Sequence, residues 1–467
     1  MSAEIVSGES LQPETPGVPL LAGKVEWVMS TTWKGTLMRL FRCVSLFTIA
    51  LAPGFASAQE KKAEVPEFTL GKCIEVAIDR QPSLKAVRAS QDSTAIGRQA
   101  LHNIGPLGSL LSRDLPVRKM QADRGLTAAE ADVLKTYNEV VHDVTRLYCS
   151  VIYARHQARH LDDVTFQIET FAGGAKSLLD SPAPGEMTKA KYETMLLAVA
   201  KVRRLRGKAQ TGVKQAEAAL REAMGVSDGS LPFTVKDFVK EGKHTDETRK
   251  GDPLSLWPLM DLDLKLTKEQ VVELALSGRP EITMAQAGTD AIRLEACAQD
   301  RILFRRKVPT LASGADLHAR IFPSGSRASR SDYRPEPIMP EMPAMVVGRR
   351  SERVARVQAL GVRAEAVQEK VRNLITLEAE NAFFDYEDAV KNLAISREAG
   401  ETANELIKRI KDSFENPKAA KEQLIQGYAQ AAEAVADYNS AAFQYLLELA
   451  ALERITAGGV RPQFPGR

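Results

Sequence analysis

Residues 68–82 read FTLGKCIEVAIDRQP, and residues 266–280 read LTKEQVVELALSGRP. Phe68-Thr69-Leu70, Glu75, Ala77 and Pro82 thus recur 198 residues later as Leu266-Thr267-Lys268, Glu273, Ala275 and Pro280. In each copy a Thr stands as N-cap before an apolar stripe of 3.6-residue period, Cys73, Ile74, Ala77 and Ile78 first, then Val271, Val272, Ala275 and Leu276. The Pro breaks or kinks the helix at the same offset. A duplication dictates architecture, and each copy here is followed by helices much longer than globular proteins use. Two similar helical halves are expected.

The long helices announce themselves by heptads. Leu424, Tyr428, Ala431, Val435, Tyr438, Ala442, Tyr445, Leu449 and Leu452 alternate spacings of four and three, the mark of a coiled-coil seam. A second seam runs through Tyr192, Met195, Val199, Val202, Arg206, Ala209, Val213, Ala216, Leu220 and Ala223, interrupted only by Arg206. A third passes from Val357 through Leu360, Ala364, Val367 and Val371 to Leu374; a fourth, less regular, joins Leu134, Tyr137, Val141, Val144, Tyr148 and Val151. From Leu126 to Asp180 no Pro intervenes, which predicts a helix on the order of 80 Å long. Ser181-Pro182-Ala183-Pro184-Gly185 turns the chain back toward Met224, and Glu415-Asn416-Pro417 does the same between helices Ser351–Phe414 and a return to about Ile455. Short turns between long helices make antiparallel hairpins.

Each half also carries an insert before its long hairpin. In the second half, roughly Lys307 to Arg349, part of it alternates: Leu311, Ser313, Ala315, Leu317, Ala319 and Ile321 against Gly314, Asp316, His318 and Arg320. A membrane-barrel strand and a half-buried strand of a soluble hairpin both show this period of two. The first insert, Leu101 to Arg124, holds Gly105, Pro106, Gly108 and Pro116 and has little room for two strands of about 9–11 residues.

The amino end reads as a secretory leader. Met38-Arg39-Leu40-Phe41-Arg42 is basic, Cys43 to Ala52 is apolar, and Ala56-Ser57-Ala58 offers small residues for cleavage after Ala58. The apolar run is too short to span a bilayer, residues 1–37 read as an upstream extension, and no Cys follows the cleavage site to take a lipid. The expected organisation is extension and leader 1–58, first helical repeat 68–225, linker 226–265, second repeat 266–457 with its β-type insert 307–349, and tail 458–467.

Charge and chemistry exclude several classes. Lys and Arg (63) nearly balance Asp and Glu (60), so no electrostatic footprint for nucleic acid exists. Cys73, Cys149 and Cys297 form no disulfide framework and read as small core residues. His156 and His160 have the i, i+4 spacing of a metal pair but no third ligand, and read as a helix-surface pair. Arg203-Arg204-Leu205-Arg206 reads as a solvated stripe or a hold on an acidic partner. No nucleophile elbow or phosphate loop is present, so neither catalytic nor cofactor-binding residues are expected.

Taken together the order of motifs resembles the outer membrane efflux proteins, the TolC-like channels of Gram-negative envelopes, over nearly all of Phe68 to Ala457. The repeated openings with Pro82 and Pro280, the Gly348-Arg349-Arg350-Ser351-Glu352-Arg353-Val354 lead into a long helix, the aromatic pairs Tyr148/Tyr153 and Phe383-Phe384, and the Ala-rich closing heptads carry that resemblance. It implies a mainly α fold of duplicated coiled-coil hairpins, an α-barrel protomer with a reduced β-strand insert in each half. It further implies a homotrimer in outer-membrane lipid whose periplasmic tunnel meets a membrane-fusion adaptor and an inner-membrane pump. The positions matching the family's adaptor-contacting tips are Pro182, Pro184, Gly185, Thr188, Asn416 and Pro417. The chain departs from the family in its short first insert, in Pro323, Pro335, Pro337, Pro340 and Pro343, and in a thin aromatic girdle of Phe304, Phe322 and Tyr333. A periplasmic structural coiled coil that has lost the barrel is therefore the alternative.

Overall fold

The structure, a computed structural model, describes residues 66–105, 112–180, 188–226, 232–237, 264–311, 342–414, 421–462, 464 and 467. The leader expected at 1–58 and the alternating residues Ser313 to Ile321 lie outside the described residues.

Helix lengths state the duplication more plainly than the sequence does. In the first half α1 (Leu70–Arg80), α2 (Pro82–His102), α3 (Leu115–Leu179) and α4 (Lys189–Ala223) have 11, 21, 65 and 35 residues. In the second, α5 (Lys268–Gly278), α6 (Pro280–Arg301), α7 (Arg350–Phe414) and α8 (Lys421–Ile455) have 11, 22, 65 and 35. Thr69 caps α1 through Lys72 N, and Thr267 closes a reciprocal capping box with Gln270. Pro82 and Pro280 each stand at the first position of the next helix, where a missing N–H costs nothing. The long helix of the first half begins at Leu115, eleven residues ahead of the expected Leu126, for the same reason: Pro116 sits in its first turn and starts it instead of breaking it.

The halves close on themselves in the same way. Gln81, between α1 and α2, donates from Nε2 to the Ala223 carbonyl at the end of α4, 3.1 Å away. Gly225 then turns with φ +68°, and a Cβ there would lie 2.8 Å from the Arg80 carbonyl oxygen. In the second half Gly278, the last residue of α5, presses against the end of α8, where a Cβ would lie 3.0 Å from the Thr456 oxygen. Backbone meets backbone at both joints, which is why glycine is found at each.

Among the described residues four strands occur, all short. β1 (Glu67–Phe68) pairs in parallel with β2 (Thr234–Val235), within the stretch read as a linker. β3 (Lys307–Pro309) pairs antiparallel with β4 (Met345–Val347), which makes them the root of the second insert. Among the described residues the first insert holds no strand, and only twelve residues separate α2 from α3.

Packing follows the hairpins. α4 lies against α3, α3 against α8 and α8 against α7; along the other part of their length α3 packs on α2 and α6, and α7 packs on α6. The largest core gathers Ala77, Val144, Tyr148, Leu220, Ala275, Ile375 and Leu452, where α1 and α5 abut the ends of α4 and α8. The α8 seam is buried from Tyr428 to Leu452. The tail is part of this core, for Val460 and Phe464 are buried and Val460 N donates to Thr456 Oγ1 at 3.0 Å.

Candidate functional site

Three regions bear on function, and the first is the hairpin ends. Val164, Ile168, Phe171 and Ala175 of α3, Met195 and Val199 of α4, Ile410 of α7, and Ile425 and Tyr428 of α8 form one apolar cluster. All four long helices therefore end at one level, with Phe171 edge-on to Tyr428 at 5.5 Å. Of the expected tip residues, Thr188 is described: it caps α4 by accepting from Lys191 N at 3.3 Å. Pro182, Pro184, Gly185, Asn416 and Pro417 lie outside the described residues.

The second region is the pair of edges. α4 and α7 stand at opposite ends of the order α4, α3, α8, α7. Each turns apolar side chains to solvent: Leu197 is 73% exposed on α4, and Phe384 and Ile395 are 52% and 67% exposed on α7. The α4 seam is only half-buried at Val202, Ala209, Val213 and Ala216. Its interruption at Arg206 has a cause, because the guanidinium pairs with Asp162 on α3, as Arg203 does with Glu169 at 2.7 Å. Two of the three arginines are thus joints between helices. Arg204 is exposed.

The third region is the strand root. Arg118 of α3 donates to Glu295 of α6, to Gln121 Oε1 at 2.9 Å and to the Pro309 carbonyl of β3 at 3.2 Å. Gln299 Nε2 donates to the other Glu295 oxygen at 2.8 Å and its Oε1 accepts from Arg353 Nε at 2.9 Å. Arg353 also donates to the carbonyls of Arg305 at 2.5 Å, Ile302 at 2.7 Å and Gly348 at 3.0 Å. Both chain ends of the second insert are held by two buried arginines, Arg118 on Glu295 and Arg353 joined to the same carboxylate through Gln299. Gly348 has φ +130° beside Glu352, whose Oε2 accepts from Arg349 N at 2.8 Å and caps α7. The sequence motif Gly348 to Val354 marked this place, but its buried partners on α6 and α3 carry no local signal.

A second buried ion cluster lies at the large core. Arg279 donates to Glu281 at 2.8 Å and to Glu378 at 3.0 Å, and Arg454 donates to Glu378 at 2.8 Å. Burial raises the Glu281 carboxyl, but the adjoining Arg279 outweighs it and leaves the pKa below the ordinary carboxylate range.

Some sequence expectations change. Leu134 and Tyr137, placed in the fourth seam, are exposed, and Ala128, Ala131 and Lys135 are buried in their stead. The early turns of α3 face α2 and α6, so their buried stripe is set by those helices and includes polar residues. His156 and His160 are buried, not a surface pair, since α3 is covered by neighbours; His160 Nε2 lies 2.8 Å from the Ala432 carbonyl of α8. Cys297 is exposed, whereas Cys73 and Cys149 are buried and their thiols are pushed up to about 12 by desolvation. Among the described residues no cluster of three or more metal-ligating side chains occurs, and no helix is long and apolar enough to cross a membrane.

No protein-family model and no curated protein matches the sequence. Solved structures do. The outer-membrane channel OprN superposes with a TM-score of 0.60 at 15% identity, covering 84% of this chain and 90% of that one. The Campylobacter jejuni CmeC outer membrane channel gives 0.58 at 10% identity over 90% of this chain and 95% of that one. The Neisseria gonorrhoeae MtrE outer membrane channel, in its open state, gives 0.56 at 14% identity over 84% and 90%. This chain has the TolC-like fold of those channels.

Proposed function

We propose that the chain is the outer-membrane channel component of an export system of the tripartite efflux or type I secretion kind. Three copies close into a helical tunnel that spans the periplasm, and the hairpin ends meet a membrane-fusion adaptor and through it an inner-membrane pump. The observation that carries this reading is the duplicated succession of 11, 21 or 22, 65 and 35-residue helices with two unlike, apolar edges left open. Unlike edges join head to tail, and a head-to-tail contact closes into a ring when the rotation permits. Such a molecule makes and breaks no bonds; it conducts.

A second reading has its own support. The twelve residues between α2 and α3 cannot supply two membrane-crossing strands of about 9 residues each with a turn. A trimer then offers six strands from its second inserts, and about eight strands enclose only side chains. By that count the chain is a periplasmic structural coiled coil that kept the helices and lost the pore.

One preparation separates the two. The detergent-solubilised protein is weighed by native mass measurement, run with and without heating on a gel, and added to planar bilayers. A heat-modifiable trimer with single-channel current supports the channel, and a trimer without current supports the structural coiled coil. A monomer at micromolar concentration defeats both. The adaptor contact is tested separately: bulky charged replacements of Gly185 and Asn416 should abolish assembly with a co-expressed adaptor while the trimer persists, and unchanged export would leave these residues as turns alone.

A further inference from the structure

We infer that the contact between copies is selected by charge, the outer face of α4 being a basic strip that recognises an acidic strip on α7 of a second copy of this chain. The inference rests on the head-to-tail ring proposed above and adds what decides its register and its partner.

The charge distribution is uneven in the way such a contact needs. α4 carries nine Lys and Arg against three Glu, while α7 from Glu380 to Glu405 carries seven acidic residues against two basic ones. Within the protomer these helices are not neighbours, because α3 and α8 stand between them. On α4, Met195, Val199 and Leu220 are buried against the protomer, and Leu197, Lys201, Arg204 and Lys208 fall on the opposite face, all exposed. Arg203 and Arg206, at the flanks, are already joined to Glu169 and Asp162 of α3. Among the described residues Lys201, Arg204 and Lys208 have no acidic partner in their own chain.

Height decides which acids they meet. Rotation about a ring axis moves a residue around the axis and not along it, so copies of helices parallel to that axis meet at equal distances from the hairpin end. Arg204 lies fifteen residues from the start of α4, about 22 Å along it. Counting back from the end of α7, Glu401 and Glu398 lie thirteen and sixteen residues away, about 20 and 24 Å. Leu197 and Leu406 are each eight residues from the same end, and both are exposed. The shared cluster of Met195, Val199 and Ile410 fixes the two ends at one level. An apolar contact at Leu197 and Leu406 is therefore followed, one to two turns farther from the end, by cations opposite Glu398 and Glu401, the latter shared with Arg397 of its own helix at 3.1 Å. Exposed pairs contribute little singly, but several in register both favour the correct neighbour and penalise a wrong one.

Charge reversal tests it. In full-length protein, Lys201→Glu and Arg204→Glu together put acid against acid; association should weaken about 100-fold, read by native mass against concentration, with helicity unchanged by circular dichroism. Glu398→Lys and Glu401→Lys added to the same chain should restore the oligomer, because the facing charges are then exchanged. An oligomer that survives the first set overturns the inference, and so does failure of the second set to restore it. Wild-type protein that never associates defeats the ring reading itself, a result distinct from either.

Discussion

Arg118 and Glu295 stand 177 residues apart in the chain and form a buried ion pair between the two duplicated halves, beside the root of the β3–β4 insert. Glu295 has no exposed side-chain surface, and Arg118 has 10%. Two charges removed from water in this way stabilise little as a pair, yet removing one strands the other. Glu295→Ala should therefore lower stability by about 3–5 kcal/mol. Arg118→Met combined with Glu295→Leu should recover much of that loss. Thermal melts of the two variants check the ordering, and equal melting temperatures would contradict it.

The joint at Gly225 offers a cleaner contrast. Its φ of +68° and the Arg80 oxygen 2.8 Å from a would-be Cβ make Gly225→Ala strained twice over. About 2 kcal/mol of destabilisation is expected. Gly173, inside α3 with nothing within 4 Å of a Cβ, should respond oppositely: Gly173→Ala should stabilise by about 0.5–1 kcal/mol. Denaturant midpoints of the pair measure both signs in one experiment.

What the sequence disclosed and what it withheld divide along one physical line. Heptad positions of α8 such as Val435 and Leu449 are buried because the helix keeps the same neighbours, α7 and α3, at both of its ends, so local period and tertiary contact agree. In α3 the neighbour changes along the helix. Leu134 and Tyr137 match the period but face solvent, and Arg118, Gln121 and Lys135 break it but are buried. Gln121 is satisfied by the Ala291 carbonyl at 2.9 Å, 170 residues distant, a partner that no window of sequence contains. Pro116 misled for a different reason, since a Pro starts a helix as readily as it stops one, and its position within the turn decides. Of the candidate tip, Thr188 was singled out only as a tip position, and its capping of α4 is what the structure adds. The function of that tip was suggested by resemblance and stands as a proposal.

His160 predicts a pH response. Burial lowers its pKa below the ordinary value of 6.5, although the Ala432 carbonyl it faces acts the other way. The unfolded chain then binds a proton that the folded one resists, so folding stability is full above about pH 6.5 and declines as pH falls toward the lower folded pKa. His160→Gln keeps a donor toward Ala432 and does not titrate. The wild type should lose more stability than this variant between about pH 7 and pH 5, as read from denaturant melts. Parallel pH profiles would show that His160 does not contribute.

The cluster of Arg279, Glu281, Glu378 and Arg454 should behave as one unit, with Glu378 as its centre. Glu378 accepts from Arg279 on one oxygen and from Arg454 on the other, at 3.0 and 2.8 Å, and its side chain is 2% exposed. Glu378→Gln keeps the shape, removes the charge, and turns an NH₂ toward one of two buried guanidinium groups. Glu281 still neutralises Arg279, but no second carboxylate meets Arg454 at this distance among the described residues. Arg454 is thus the group left uncompensated. The expected cost of Glu378→Gln is about 3 kcal/mol. Adding Arg454→Met removes the stranded cation and should return part of it, so that the double variant melts above the single one. Because Arg279 and Glu281 stand at the start of α6 and Arg454 in the last turn of α8, the loss should appear as earlier melting of the whole helical signal. A separate early transition confined to a minor part of the helicity would show instead that the cluster secures only its own corner.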